Sequence, residues 1–257
     1  MKNVWVICRK ELRSYFVSPI AYLLLAMFAL IFGWMFSSII RSFVLYGMEM
    51  QMRGEMFPMN INEQVIRQLL YNGGVLGLFL IPMISMRLFA EEKRTGTIEL
   101  LATSPVKDIE VILGKWLAAM GIYAAMLLLA GLNFVVLFKY GNPDLKPLLI
   151  GYLGLLLQGG ALLAIGTFIS TLTNNQIVAA GATFGLCLIL WIIGWDSVSG
   201  YDSSPLAQAL SYLSLTTHFE SFAKGTISSK DAIFYLTLIF VGLFFTARSM
   251  ESLRWRA

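Results

Sequence analysis

Six apolar runs, each close to the thickness of a lipid bilayer, govern what this chain can fold into. They lie at about 20–40, 69–86, 111–138, 148–172, 176–195 and 232–247. A hydrocarbon core about 30 Å thick takes roughly 20 residues of helix, so the last run is short unless it begins near Ser229. Stretches such as AYLLLAMFALIFGWMF lack the polar–apolar alternation of a transmembrane β-barrel. Hydrophobic residues make up 58% of the chain and charged ones 13%, with a mean hydropathy of +0.73. Soluble domains are nearer a quarter charged. The expectation is an all-α integral membrane protein: one transmembrane domain over 1–257 with six spans.

Lysine and arginine set the orientation, because cytoplasmic segments carry the excess. With both termini cytoplasmic, twelve of the 19 Lys and Arg fall inside and seven outside. This bias accounts for the +4 net charge without nucleic acid. The first run starts after about nineteen residues and has no small-residue cleavage site behind it, so it reads as a retained span. Those features place the protein in the plasma (inner) membrane, multi-pass.

Between the second and third runs lies a polar island, Arg87 to Lys115. It holds five acids (Glu91, Glu92, Glu99, Asp108, Glu110) and five bases (Arg87, Lys93, Arg94, Lys107, Lys115). Its punctuation is helical. Gly96 suits a helix stop, and Thr97 can cap a short helix through Glu99, Leu100 and Leu101. Ser104-Pro105 reads as N-cap and first residue of the next span. Such an amphipathic helix at the membrane surface can touch another protein. Glu91, Glu92 and Arg94 would pair with its charges, and Leu100 and Leu101 would fill an apolar pocket. Charge reversal at Glu92 is expected to spare insertion, since Glu92 lies outside the hydrocarbon.

Residues 1–19 form a second surface element. Val4, Trp5, Cys8, Leu12, Tyr15 and Phe16 share about a third of a turn, away from Lys2, Arg9, Lys10 and Arg13, with Ile7 and Val6 off-pattern. A basic amphipathic helix carrying Trp and Tyr lies in the membrane interface, and Pro19 ends it.

No Asp, Glu, Lys or Arg sits mid-membrane, which argues against proton-coupled transport. Asn133, Gln158, Thr167 and Ser170, the candidates for lining a translocation path, and Thr183 read first as interhelical hydrogen-bonding groups. Small-residue pairs (Gly73/Gly77, Gly121/Ala125, Gly181/Gly185) suit close helix packing. Cys8 and Cys187 read as small apolar residues, with no C-x-x-C. One histidine, His218, rules out paired-histidine metal sites. Gly114-Lys115 is followed by Trp116, so there is no P-loop. No catalytic constellation emerges, and the chain is expected not to be an enzyme. It needs no cofactor of its own; ATP, if it drives the protein, is bound by another polypeptide.

With island, amphipathic helix and six spans together, the chain resembles the permease subunits of type-2 ABC (ABC-2) transporters. The matching residues run Phe89-Ala90-Glu91-Glu92-Lys93-Arg94-Thr95-Gly96-Thr97-Ile98-Glu99-Leu100-Leu101, then Thr103-Ser104-Pro105-Val106. Arg9-Lys10-Glu11-Leu12 through Phe16 and Ser18-Pro19-Ile20-Ala21-Tyr22 are similar to the opening of the gliding-motility-associated and nitrous-oxide-reductase-maturation branches. The resemblance implies a homodimer, or a heterodimer with a second permease, bound to two cytoplasmic ABC ATPase subunits. It makes the island a coupling helix that meets the ATPase through Glu91, Glu92, Arg94, Gly96, Thr97, Glu99, Leu100, Leu101 and Pro105. A membrane-anchored auxiliary protein is a further implied partner.

Two segments remain. Residues 196–231 can hold external or re-entrant helices, with apolar spacing at Leu206, Leu210, Leu213 and Phe222. They read either as a cap over the path or as a solvated connector with one surface helix. Met48, Met50, Met52, Met56 and Met59 have no His or Cys beside them, which favours adaptable packing over a copper site. The alternatives to an ABC permease are an ion-coupled secondary transporter and a non-transporting membrane scaffold of a motility or maturation complex.

Overall fold

In the computed structural model, residues 2–54, 60–98, 106–141, 143–193 and 212–254 are described. They form helices and short connections, with no strand among them. The helices are α1 (Lys2–Val17), α2 (Pro19–Met52), α3 (Arg67–Ser85), α4 (Ala90–Thr95), α5 (Asp108–Tyr140), α6 (Leu145–Leu172), α7 (Gln176–Ile192), α8 (Leu215–Ala223) and α9 (Ser229–Arg254). A π-helical turn, Asn62–Ile66, leads into α3.

The boundaries follow local chemistry. Ser18 separates α1 from α2, its Oγ accepting from the Ile20 amide, and Pro19 opens α2 where a missing N–H costs nothing. Asn175 and Ser214 cap α7 and α8 in the same way, accepting from the Ile177 and Thr217 amides. The start of α5 differs from the sequence reading. Its N-cap is Lys107, with extended backbone, and the helix begins at Asp108. Ser104-Pro105 therefore stands three residues too early for the N-cap and first turn of that span. Asp108 and Glu110 supply the acidic first turn that the helix dipole favours.

Five helical runs are long and apolar enough to cross a membrane: Pro19–Met52, Asn62–Thr95, Asp108–Tyr140, Leu145–Leu172 and Ser229–Ser252. The last run does begin at Ser229, which supplies the length the apolar stretch alone lacked. The expected span at 176–195 appears as α7, an apolar helix of 17 residues. At 1.5 Å per residue it is about 26 Å long, slightly under the hydrocarbon thickness.

Helix α6 is the mast of the bundle, packing against α3, α5, α7, α8 and α9. Its glycines admit bulky neighbours: Gly151 meets Leu70, Gly154 meets Phe222 and Gly159 meets the Tyr123 ring. Helices α6 and α9 run parallel, with Pro147 against Gly225 at one end and Thr171 bonded to Ser249 at the other (2.8 Å). Of the small-residue pairs, Gly73, Gly77 and Gly121 pack against Leu155, Tyr123 and Leu12. Gly181 and Gly185 have no atom within 4 Å of where a Cβ would stand, so they serve no packing inside the described chain.

Helix α1 does not follow the proposed wheel. Its packed stripe is Val4, Ile7, Cys8, Glu11, Leu12 and Tyr15, while Trp5, Val6 and Phe16 are exposed. Spacings of three and four residues keep that stripe on one face. Ile7 belongs to it, and Trp5 and Phe16 do not.

Candidate functional site: the ion-paired junction of α1, α4 and α5

The site is built where α3 stops. A helix end leaves orphan carbonyls and the next helix start leaves orphan amides, and here other elements satisfy both. The Tyr15 hydroxyl of α1 donates to the Ile84 carbonyl at 2.7 Å. Burial holds the Tyr15 phenol well above its usual pKa, with the Glu11 carboxylate adding to the shift, so it stays a donor. Ser170 Oγ, near the end of α6, accepts from the Phe89 and Ala90 amides at 3.0 Å each and donates to the Met86 carbonyl at 3.2 Å. A side chain from another helix thus does the work of an N-cap for α4. The Lys93 ammonium donates to the Thr171 carbonyl beside it.

Beneath this turn lies a buried ionic triad. Lys115 is 2% exposed, and its Nζ lies 2.9 Å from Glu11 Oε1 and 2.8 Å from Glu92 Oε1. The ammonium also stands 5.3 Å from the centre of the Phe89 ring, a cation–π distance. One cation therefore ties together α1, α4 and α5. A second pair runs beside it: Arg87 Nε bonds Glu91 Oε2 at 2.8 Å, and its guanidinium sits 5.4 Å over the Tyr15 ring. Glu11 and Tyr15, one turn apart on α1, reach the two halves of the junction.

Gly114 makes the triad reachable. A Cβ there would stand 2.8 Å from Ile7 side-chain atoms and 3.0 Å from the Val4 carbonyl oxygen. Only glycine lets α1 lie this close to α5. The Asn3 amide donates to Glu110 Oε2 at 2.9 Å one turn earlier, which fixes the register.

Above the triad the outer face is open. Arg94, Thr95, Gly96 and Thr97 are exposed. Gly96 ends α4 with φ 73°, the left-handed conformation read for it from sequence. Thr97 turns back on α4, its hydroxyl 3.0 Å from Thr95 Oγ1, and the next residue, Ile98, is helical. Ile98 and Val106 both pack on the core. Glu99, Leu100, Leu101 and Pro105 lie outside the described residues.

The sequence-level candidates thus separate into two groups. Glu91 and Glu92 turn inward to Arg87 and Lys115, whereas Arg94, Gly96 and Thr97 face out. Glu92→Lys, expected from the sequence to spare insertion, would set a second ammonium against the buried Lys115. Glu11, Lys115, Arg87, Tyr15 and Lys93 were not singled out from sequence. An acid on the packed stripe of a basic helix, and a lysine one turn inside an apolar span, were the signals available.

The polar residues inside the bundle also have specific positions. Ser170 bonds at the α4 junction. Thr167 and Thr183 donate to carbonyls of their own helices, Leu163 and Ala179, at 2.6 and 2.7 Å. Asn133 reaches the Ala130 carbonyl at 3.5 Å. Gln158 is 1% exposed, and neither of its amide atoms has a hydrogen-bond partner among the described residues. No cluster of three or more metal-ligating side chains occurs among the described residues.

Residues 49–247 match the family described as ABC-2 family transporter protein. The chain belongs to the ABC-2 transporter family. It is a multi-pass membrane protein and a permease component of an ABC transporter, a class partnered by an ABC ATPase subunit. No curated protein matches it. The matched region includes Arg87, Glu92 and Lys115 and leaves out α1. The ABC-2 permease thus joins a helix outside the matched region, through Glu11, to the polar turn inside it.

Proposed function

We propose that this ABC-2 permease crosses the inner membrane six times with both termini in the cytoplasm and receives the ATPase stroke at α4. It carries no catalysis of its own. Two permeases, either identical or paired with a second type, bind two ATPase subunits, and α4 with residues 97–105 is the coupling segment. Helix α1 lies at the membrane interface and moves with it. An auxiliary membrane partner and membership of the motility-associated or nitrous-oxide-maturation branches belong to the same reading.

The observation that carries the proposal is the Glu11–Lys115–Glu92 triad. A lever needs a grip and a rigid link. Arg94, Gly96 and Thr97 offer an exposed grip, and the buried triad links that turn to the first turns of α5 and to α1. In a low-dielectric junction such charges are expensive to separate, so displacement of α4 is passed on instead of being absorbed locally.

The test is chemical capture. A photoreactive side chain at Thr97, in membranes containing the neighbouring gene products, should crosslink a nucleotide-binding subunit, with two copies per permease pair. Capture should change between nucleotide-free and ATP-bound states. A permease complex that transports while Thr97 crosslinks no nucleotide-binding subunit would overturn the coupling role.

A further inference from the structure

At the end of the bundle opposite the triad, the chain's single histidine is enclosed. His218 on α8 is 2% exposed. Its Nδ1 lies 2.7 Å from Asp231 Oδ1, and its Nε2 lies 3.0 Å from the Tyr212 carbonyl oxygen. The ring stacks on Phe234, centroids 3.9 Å apart, and meets Tyr212 edge-on at 5.2 Å. The proton count decides the chemistry. A backbone carbonyl only accepts, so Nε2 must carry a hydrogen; the 2.7 Å contact needs another, shared between Nδ1 and the carboxylate. A neutral imidazole beside an ionised Asp231 supplies only one.

We infer that His218 and Asp231 together hold two protons, one on Nε2 facing the Tyr212 carbonyl and one shared between Nδ1 and the carboxylate, a latch that clips α8 to α9 and to the turn at Tyr212. With one proton fewer, an Nε2 lone pair would face the Tyr212 carbonyl, or the carboxylate would face Nδ1 without a hydrogen between them. Either way one of two buried hydrogen bonds would be missing.

The groups around the latch fit this reading. Lys230, next to Asp231 on α9, places its ammonium 4.8 Å from the centre of the Tyr212 ring. Tyr235, one turn further, donates to the Leu215 carbonyl at 2.8 Å and so holds the start of α8 from the same helix. On α8 itself, Glu220 is taken by Arg67 of α3 at 3.1 Å and by Lys224 at 2.7 Å. Tyr71 of α3 meets Phe219 edge-on. The charged residues at the near end of α6, Asp144 and Lys146, are both exposed. Asp231 is therefore the acid that bonds the ring. Helix α8 is no solvated connector: Leu215, His218, Phe219, Phe222 and Ala223 are buried against its neighbours. The latch thus controls a packed element that covers α6 at Gly154.

A single histidine makes the test direct. Full-length protein labelled with ¹⁵N-histidine in lipid nanodiscs gives one ring to read. At about pH 6 both ring nitrogens should show protonated shifts, or Nε2–H should be seen with Nδ1 accepting from a protonated carboxylate. His218→Gln, which cannot present two ring N–H donors to the carboxylate and the Tyr212 carbonyl, should lower the melting midpoint. A ring that at pH 6 keeps Nδ1–H beside an ionised carboxylate and an unprotonated Nε2 would overturn the inference, and so would equal melting midpoints for wild type and variant. Should the variant not fold, the wild-type ring spectrum alone decides.

Discussion

Lys115 is the residue on which the junction depends, because it neutralises carboxylates from two different elements while almost fully buried. Removing one partner from a buried ionic group typically costs about 3–5 kcal/mol. Lys115→Ala should therefore lower the melting midpoint in detergent sharply and reduce the yield of folded protein. Exposed pairs such as Arg248–Glu251 are worth about 1 kcal/mol or less, and Glu251→Ala should scarcely move the midpoint. Replacing all three charges at once (Glu11→Gln, Glu92→Gln, Lys115→Met) separates stability from coupling. Apolar substitutes for buried charges are often neutral for stability. The triple variant should regain much of the midpoint while permease-stimulated ATP hydrolysis stays low. Arg94→Ala is the counterpart: the midpoint is unchanged, and ATPase binding weakens by about 1–4 kcal/mol. Little of this was legible in the sequence. Lys115 stood at the border of island and span, and Glu11 sat among four bases. What made both visible is the approach of α1 across Gly114, a tertiary fact that no local pattern encodes.

At the scale of elements, α4 shows which signals a sequence carries and which it does not. Gly96 was readable as a helix stop because left-handed backbone has one common solution, and the helix ends there. Gly96→Val should cost about 1–2 kcal/mol in the folded junction, measured as a lower midpoint with membrane insertion intact. The other end of α4 was not readable. Its cap is Ser170, 80 residues away from Ala90 in sequence, and a local search for capping residues cannot find it. Ser170→Ala leaves the Phe89 and Ala90 amides buried and unpaired, at about 1–3 kcal/mol. Hydrogen exchange at those two amides should rise, while the ends of α5 and α9 keep their protection. Equal exchange in wild type and variant would mean that α4 holds itself. The wheel of α1 failed for a related reason. Amphipathicity gave the helix, but the choice between a lipid-facing and a protein-facing stripe was made by α5.

At the scale of the molecule, the arrangement of α6 and α9 bears on how many times the chain crosses. Helix α6 begins beside Gly225, through Pro147, and ends at Thr171, where it bonds Ser249 near the end of α9. Helix α9 begins at the same end as α6, where Asp231 bonds His218. The chain therefore leaves α6 at the triad end and must return to the opposite end before α9 can start. Among the described residues, α7 and the nine-residue α8 lie between them, and α7 is the longer and more apolar. At about 26 Å it spans the apolar layer only with a slight thinning of the bilayer or help from flanking residues, a mismatch that costs fractions of a kcal/mol per Å. Five runs are long enough to cross on their own, and a crossing by α7 is what the six-span reading requires of the sixth. Reporters placed near Arg53, Asn142 and Ser203 should then read external, and those after Ala257 or within Arg87–Lys115 cytoplasmic. The Ser203 site is the decisive one. If it reads cytoplasmic while the C-terminus also does, α7 does not cross and the six-span reading falls.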